Sequence, residues 1–198
     1  MKSCKIFLAL SMSLAFPGCS DLDLNPLSEG SSENWNSNDV EINMSLNDLY
    51  KSAFWPVDIP DWTDDWINRE ALTSATINGE WTTVASRWTN YYRAISRANI
   101  IINNLESRAI PITEASKQRY LAEARFVRAY QYAQLVSYFG DVVLYTSVIP
   151  LEEAYTTART KKEDVMRLVY EDFDFAIGHL PVSYPSTEPG RATKGAAM

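Results

Sequence analysis

Histidine occurs once and cysteine twice in 198 residues, and each scarcity closes off a chemistry. A Ser-His-Asp or Cys-His triad would have to use His179, in the last turn of a helical segment, where the helix dipole favours a cation. Classical zinc sites fail for lack of ligands. Basic residues are also short, with 18 Lys and Arg against 25 Asp and Glu, a formal net charge of −7. Nucleic-acid binding rests on neutralising phosphates with Lys and Arg, so this balance argues against it. It equally disfavours simple electrostatic adhesion to an anionic lipid surface. The apolar run from Ile6 to Phe16 is 11 residues, too short for a bilayer span, which needs about 20. Gly190 and Gly195 have the spacing of a phosphate-binding loop, but Ala196-Ala197 stands where Lys-Ser/Thr is required. The acidic run Asp58, Asp61, Asp64, Asp65 is interrupted by Pro60 and lacks the terminal glutamate of a calcium loop. A solvated acidic loop is its simpler reading. Glu152-Glu153 are neighbours at a helix start, and nothing around them marks a glycosidase pair. No catalytic residue, metal site or cofactor is expected.

What is present begins with a targeting segment. Lys2 and Lys5 precede the apolar run, and Phe16-Pro17-Gly18-Cys19 stands where a bacterial lipobox would. Gly18 fits that pattern; Phe16 and Pro17 depart from its usual Leu and small residue. The chain divides into a signal peptide at 1–18, a lipidated N-terminus and flexible tether at 19–36, and a helical domain at 37–198. Lipidation of Cys19 would hold the protein on a membrane, each buried CH₂ contributing about 0.8 kcal/mol. Cys4 would leave with the signal, so no free thiol and no disulfide framework would remain. Loss of Lys2 and Lys5 would take the net charge to −9. The alternative is a plain secretory signal with an incidental cysteine.

Periodicity predicts four main helices. The first runs from Asn38 to Phe54, with Ser37 as N-cap and Ile42, Leu46, Leu49 and Ala53 on one face. The second runs from Trp81 to Arg108 on a stripe of Trp88, Tyr91, Ile95, Ala98, Ile102 and Leu105. The third starts near Thr113 and ends at Gly140, which suits a left-handed C-terminal cap. Its stretch from Ala122 to Phe139 carries only Glu123, Arg125 and Arg128 as charges. Apolar side chains otherwise surround its axis, so it is a central helix packed on several sides. Those charges must be paired, and ion pairs fixing helix register are the expected role. The fourth runs from Lys161 to Leu180, opened by a Thr160/Glu163 capping box. Val142 to Val148 could be a short strand. Gly195-Ala196-Ala197-Met198 looks like a helix opening, so the chain is expected to be an N-terminal fragment; a naturally short chain would leave apolar surface exposed.

The motifs in these helices resemble one family. AEARFVRAYQYAQLVSYFGDVVLYT, from Ala122 to Thr146, is similar to the signature helix and turn of the SusD/RagB family. Trp88, Tyr91, Ile95, Ala98 and Asn99 match its "W---Y--I--AN" helix, and Gly190 to Ala197 matches its GRATKGAA turn. Val143 stands where the family carries proline. Four pieces occur in the family's order across most of residues 19–198. The resemblance implies a mainly α, TPR-like helical scaffold with long irregular loops; clean 34-residue repeats are not visible. It implies a surface-exposed outer-membrane lipoprotein of Bacteroidota. Such a protein would capture oligosaccharide or another nutrient and deliver it to a SusC-like TonB-dependent transporter, without catalysis of its own. A helical adaptor without glycan affinity is the alternative, and a surface glycosidase a weaker one.

Six Trp, 11 Tyr and 7 Phe allow both a core and a ligand face. FWPVDIPDWTDDW, from Phe54 to Trp66, holds three tryptophans and two prolines in no helical period, so it reads as a loop. Flat rings stack on the apolar faces of sugars, and carboxylates accept from hydroxyls. Trp55, Trp62, Trp66 and Trp81, with Asp61 and Asp65, are the ligand-binding candidates. The competing reading is that these rings plug the loop onto the helices.

Overall fold

The computed structural model describes residues 35–56, 78 and 81–198. Cys19, Trp62, Trp66, Asp58, Asp61, Asp64 and Asp65 lie outside the described residues. Among the described residues six α-helices follow in order: α1 Asp39–Asp48, α2 Thr82–Ser107, α3 Glu114–Phe139, α4 Leu151–Thr156, α5 Lys162–His179 and α6 Lys194–Ala197. A 3-10 turn, Ser52–Phe54, follows α1.

The first helix is shorter than its periodicity predicts. The chain turns at Leu49 and re-enters through the 3-10 turn, so Phe54 points inward at 3% exposure while Ala53 faces solvent. Its N-cap is Asn38, not Ser37, and Asn38 accepts from the Glu41 N–H at 3.0 Å. The Glu41 carboxylate in turn accepts from the Ser37 N–H at 2.8 Å and its hydroxyl at 3.0 Å. That backbone bond, with the Ser37 and Asn38 side chains adding to it, holds the Glu41 carboxyl below its ordinary value.

Helix α3 packs against α2 on one side and α5 on another. Thr113 caps it by accepting from the Ser116 N–H at 3.1 Å. Tyr120, Ala122, Glu123, Val127, Ala129 and Leu135 are all at most 1% exposed. Small residues at 122, 124 and 129 let the neighbours approach closely. Both hairpins are antiparallel: the Trp88 ring meets Phe139 edge-on at 4.9 Å, and Phe126 meets Phe173 at 5.7 Å. The buried apolar residues form two clusters along α3, one toward its N-terminal half with α1 and α6, the other toward its C-terminal half with Val142 and Val165.

Gly140 ends α3 at φ 68°, ψ −119°, a region favouring glycine but not the left-handed helical geometry expected. The reversal puts Asp141 over the start of α5, where its carboxylate accepts from the Lys162 N–H at 2.9 Å. This contact replaces the expected Thr160/Glu163 box: the N-cap is Lys161 and its side chain makes no cap bond. The segment after Asp141 is not a strand. Only Val142 pairs, in one bridge to Thr160. The carbonyls of Val143, Tyr145 and Thr146 are taken by side chains instead, which leaves no ladder for a partner strand. The short α4 is not among the four main helices predicted, but Glu152 and Glu153 do stand at a helix start, in its first turn. Thr193 caps α6, as a helix opening near Gly195 requires.

Candidate functional site

The charges at 123, 125 and 128 of helix α3 enter three different settings. The Arg128 guanidinium is buried and bidentate to Asp172 of α5 at 2.7 and 2.9 Å. It also donates to Asn99 Oδ1 of α2 at 2.9 Å and to the Thr146 carbonyl at 3.4 Å. Asn99 passes the contact on, donating to the Tyr145 carbonyl at 3.0 Å. Every guanidinium nitrogen has an acceptor, the condition under which a buried charge is tolerated. Arg125 pairs with Glu106 at 2.8 Å and lies over the Phe175 ring at 4.3 Å. It is partly solvated, so the ion pair itself contributes little.

Glu123 has no exposed side-chain surface. One oxygen accepts from Arg191 at 2.7 Å; the other, Oε2, is buried without a hydrogen bond. The Tyr50 hydroxyl stands beside the carboxylate but completes no bond to Oε2. Burial raises the Glu123 carboxyl above its ordinary value, with Arg191, Tyr50 and Arg119 pulling the other way. Arg191 arrives from the turn after Gly190, at φ 80°. It also donates to Asn47 Oδ1 at 2.6 Å and approaches Glu188 at 3.4 Å. Buried charge therefore fixes the 188–192 turn onto α1 and α3.

A groove of about 840 Å³ lies beside this turn. Tyr50 and Trp55 form an aromatic side, Arg191 and Glu188 a charged one, and Asn43 and Asn47 supply amides. Trp55 stacks on Tyr130 at 4.5 Å and lies near-parallel to Tyr50 at 6.0 Å. Its Nε1 donates to the Leu49 carbonyl at 2.8 Å. Trp55 is thus tied into the packing, and offers a ligand only the part of its ring that lines the groove. Burial raises the Tyr50 hydroxyl far above its ordinary value. It stays protonated while accepting from the Ala192 N–H at 3.0 Å. Rings, amides and one guanidinium in an open groove suit a polyhydroxylated ligand better than bond cleavage.

Of the two described ligand candidates, Trp55 lines this groove; Trp81 is the half-buried N-cap of α2 and does not. His179 bonds the Phe175 carbonyl through Nδ1 at 2.8 Å and stacks on the Phe175 ring at 4.2 Å. Asn43, Asn47 and Arg191 were missed as groove residues, and Asp172 as the partner of Arg128. A carboxylate at a core position of the α5 stripe was the available signal for Asp172. The groove residues had none, since their meeting spans 148 positions of chain.

A SusD-like family model, described as "Starch-binding associating with outer membrane", matches residues 36–198. The chain belongs to the SusD-like family. It is 36% identical over 114 residues to SusD-like protein P25 of Formosa agariphila, covering 58% of this chain and 21% of that one. It is 25% identical over 211 residues to a SusD-like protein of Bacteroides ovatus, covering 100% and 38%. The chain spans less than half the length of the curated relatives it matches. Among solved structures, a laminarin binding SusD-like protein superposes with TM-score 0.70 at 23% identity, over 81% of this chain and 38% of that one. A SusD-like carbohydrate binding protein of Bacteroides fragilis gives 0.67 at 24%, over 80% and 35%. The expected mainly α scaffold is therefore observed, with the TPR-like helical fold of SusD-like structures.

Proposed function

We propose that this chain works within a cell-surface lipoprotein that captures oligosaccharides and delivers them to a SusC-like TonB-dependent transporter of the outer membrane. The observation that carries the reading is the family match across 36–198, with its starch-binding, membrane-associated description. The carbohydrate-binding and laminarin-binding names of structural neighbours agree with it. Among the described residues no helix is long and apolar enough to cross a membrane. Attachment is assigned to lipidation of Cys19, on the signal-like segment that precedes it. The ligand surface is assigned to Trp62, Trp66, Asp61 and Asp65, which follow Trp55 in sequence, and to the groove of Trp55, Tyr50, Asn47 and Arg191. No catalytic step is assigned; binding and hand-over suffice.

The test is affinity electrophoresis of the full-length protein in a panel of polysaccharides, beside Trp62→Ala and Trp66→Ala. Retardation on one glycan, weakened in a variant, is the expected result. No retardation on any glycan would overturn oligosaccharide capture and leave a helical adaptor.

A further inference from the structure

A second groove, of about 800 Å³, opens between α2 and the segment that leads through α4. It shares no lining residue with the groove at Trp55. Four aromatic residues line it: Trp88, Tyr92, Tyr145 and Tyr155. Three of them are fixed. Trp88 and Tyr92 lie 5.0 Å apart, and Tyr92 meets Tyr145 edge-on at 5.9 Å. The Tyr92 hydroxyl donates to the Val143 carbonyl at 2.9 Å. The Tyr145 N–H donates to the buried Tyr132 hydroxyl at 2.7 Å, and that hydroxyl donates back to the Tyr145 carbonyl at 2.9 Å. Asn99 holds the same carbonyl from the Arg128 network. The wall is pre-formed, so a ligand need not order it.

The remaining groups have no partner among the described residues. Tyr155 is 82% exposed on the rim, and no described residue stacks on its ring. Arg93 is the one charged residue of the lining, is exposed, and makes no ion pair with a described residue. Ser96, one turn further along α2, is exposed beside it. A pyranose presents an apolar C–H face edged by hydroxyls. A flat ring that shares a groove with a guanidinium and a hydroxyl matches that shape, and the volume lies within the roughly 300–1,000 Å³ of small-ligand sites.

We propose that this groove is a second saccharide-contacting surface, with Tyr155 stacking on a sugar ring and Arg93 and Ser96 bonding its hydroxyls. The proposal rests on oligosaccharide capture and adds a contact separate from the Trp55 side. Two surfaces on one glycan raise avidity through effective concentration.

The experiment takes the full-length protein into the polysaccharide that retards it most, with Tyr155→Ala and Arg93→Ala, and Tyr170→Ala on α5 as an exposed control. Tyr155 and Arg93 are surface side chains, so their truncation leaves the core intact. Each groove variant is expected to bind about tenfold more weakly, with the control unchanged. A retarded wild type with unchanged groove variants overturns this inference alone. Loss of a protein partner from Tyr155→Ala with undiminished glycan retardation overturns it as well. A wild type that no glycan retards overturns the functional reading and this one together.

Discussion

Two buried charges five positions apart on α3 behave as opposites. Arg128 is surrounded by acceptors from α2, α5 and the 145–146 segment, and no guanidinium nitrogen lacks one. Glu123 faces the 191 turn and α1, and leaves one buried oxygen without a hydrogen bond. The first is buried where α2, α3 and α5 meet, and its side chain lines neither groove. The second lies behind a groove, and its partner Arg191 is itself part of that groove. At these two positions, complete satisfaction goes with the helix packing and incomplete satisfaction with the side that meets a groove.

The largest effect that would test this contrast is Asp172→Ala. It leaves the Arg128 charge buried without its bidentate partner, and is expected to destabilise by about 3–5 kcal/mol, read by urea denaturation. Replacing both residues, Arg128→Met with Asp172→Leu, is expected to recover most of that loss. If the double variant is as unstable as the single, Arg128 is not held mainly by charge pairing. Asn99→Ala comes next. It removes the link between Arg128 and the Tyr145 carbonyl and leaves both short of a partner, at about 1–3 kcal/mol. It should also loosen the 143–148 segment, seen as faster amide exchange at Tyr145.

The helices were legible in the sequence because their signals are local. The apolar surround of α3, Thr113 before it and Gly140 after it are read within a few residues. The C-terminal end of α1 and the start of α5 were not, because each is decided by a contact from elsewhere. Phe54 is drawn inward beneath Gln131, whose amide donates to its carbonyl at 2.9 Å. Asp141, 21 positions away, caps α5 in place of the local box. The groove was illegible for the same reason: Arg191 meets Asn47 across 144 positions. The motif around Arg191 was visible, but not what its guanidinium would touch. The expected ion pairs of Glu123 and Arg128 named two charges without their partners, since pairing at long range leaves no period to read.

Glu123→Gln tests the incomplete side. The amide oxygen can still accept from Arg191, so the expected loss is smaller, about 1 kcal/mol at neutral pH. Its pH dependence has a definite sign. The folded carboxyl sits above its ordinary 4.5, so the native state holds the proton more tightly than the unfolded chain. Stability from this group is therefore full below 4.5 and is lost as pH rises through the folded value. Wild type minus Glu123→Gln should shift in favour of wild type as the medium is acidified across that window. A flat difference would mean that Glu123 is as comfortable ionised as Arg128 is, and the contrast between the two sites would collapse.

The smallest effect belongs to Glu41, which supplies the half-buried, hydrogen-bonded counterpart. Its carboxyl lies below 4.5, held chiefly by the Ser37 N–H, so the unfolded chain holds the proton more tightly. Its contribution is present above 4.5 and disappears as pH falls through the folded value, the reverse of Glu123. Glu41→Gln should therefore lower the melting temperature slightly at neutral pH and make no difference in acid. Opposite slopes from two glutamates in one chain would separate burial from hydrogen bonding as the cause of each shift, because the rest of the protein titrates identically in both comparisons. Slopes of the same sign would show that the groove side of α3 is solvated in solution, and that Glu123 is held by its hydrogen bonds rather than strained by its burial.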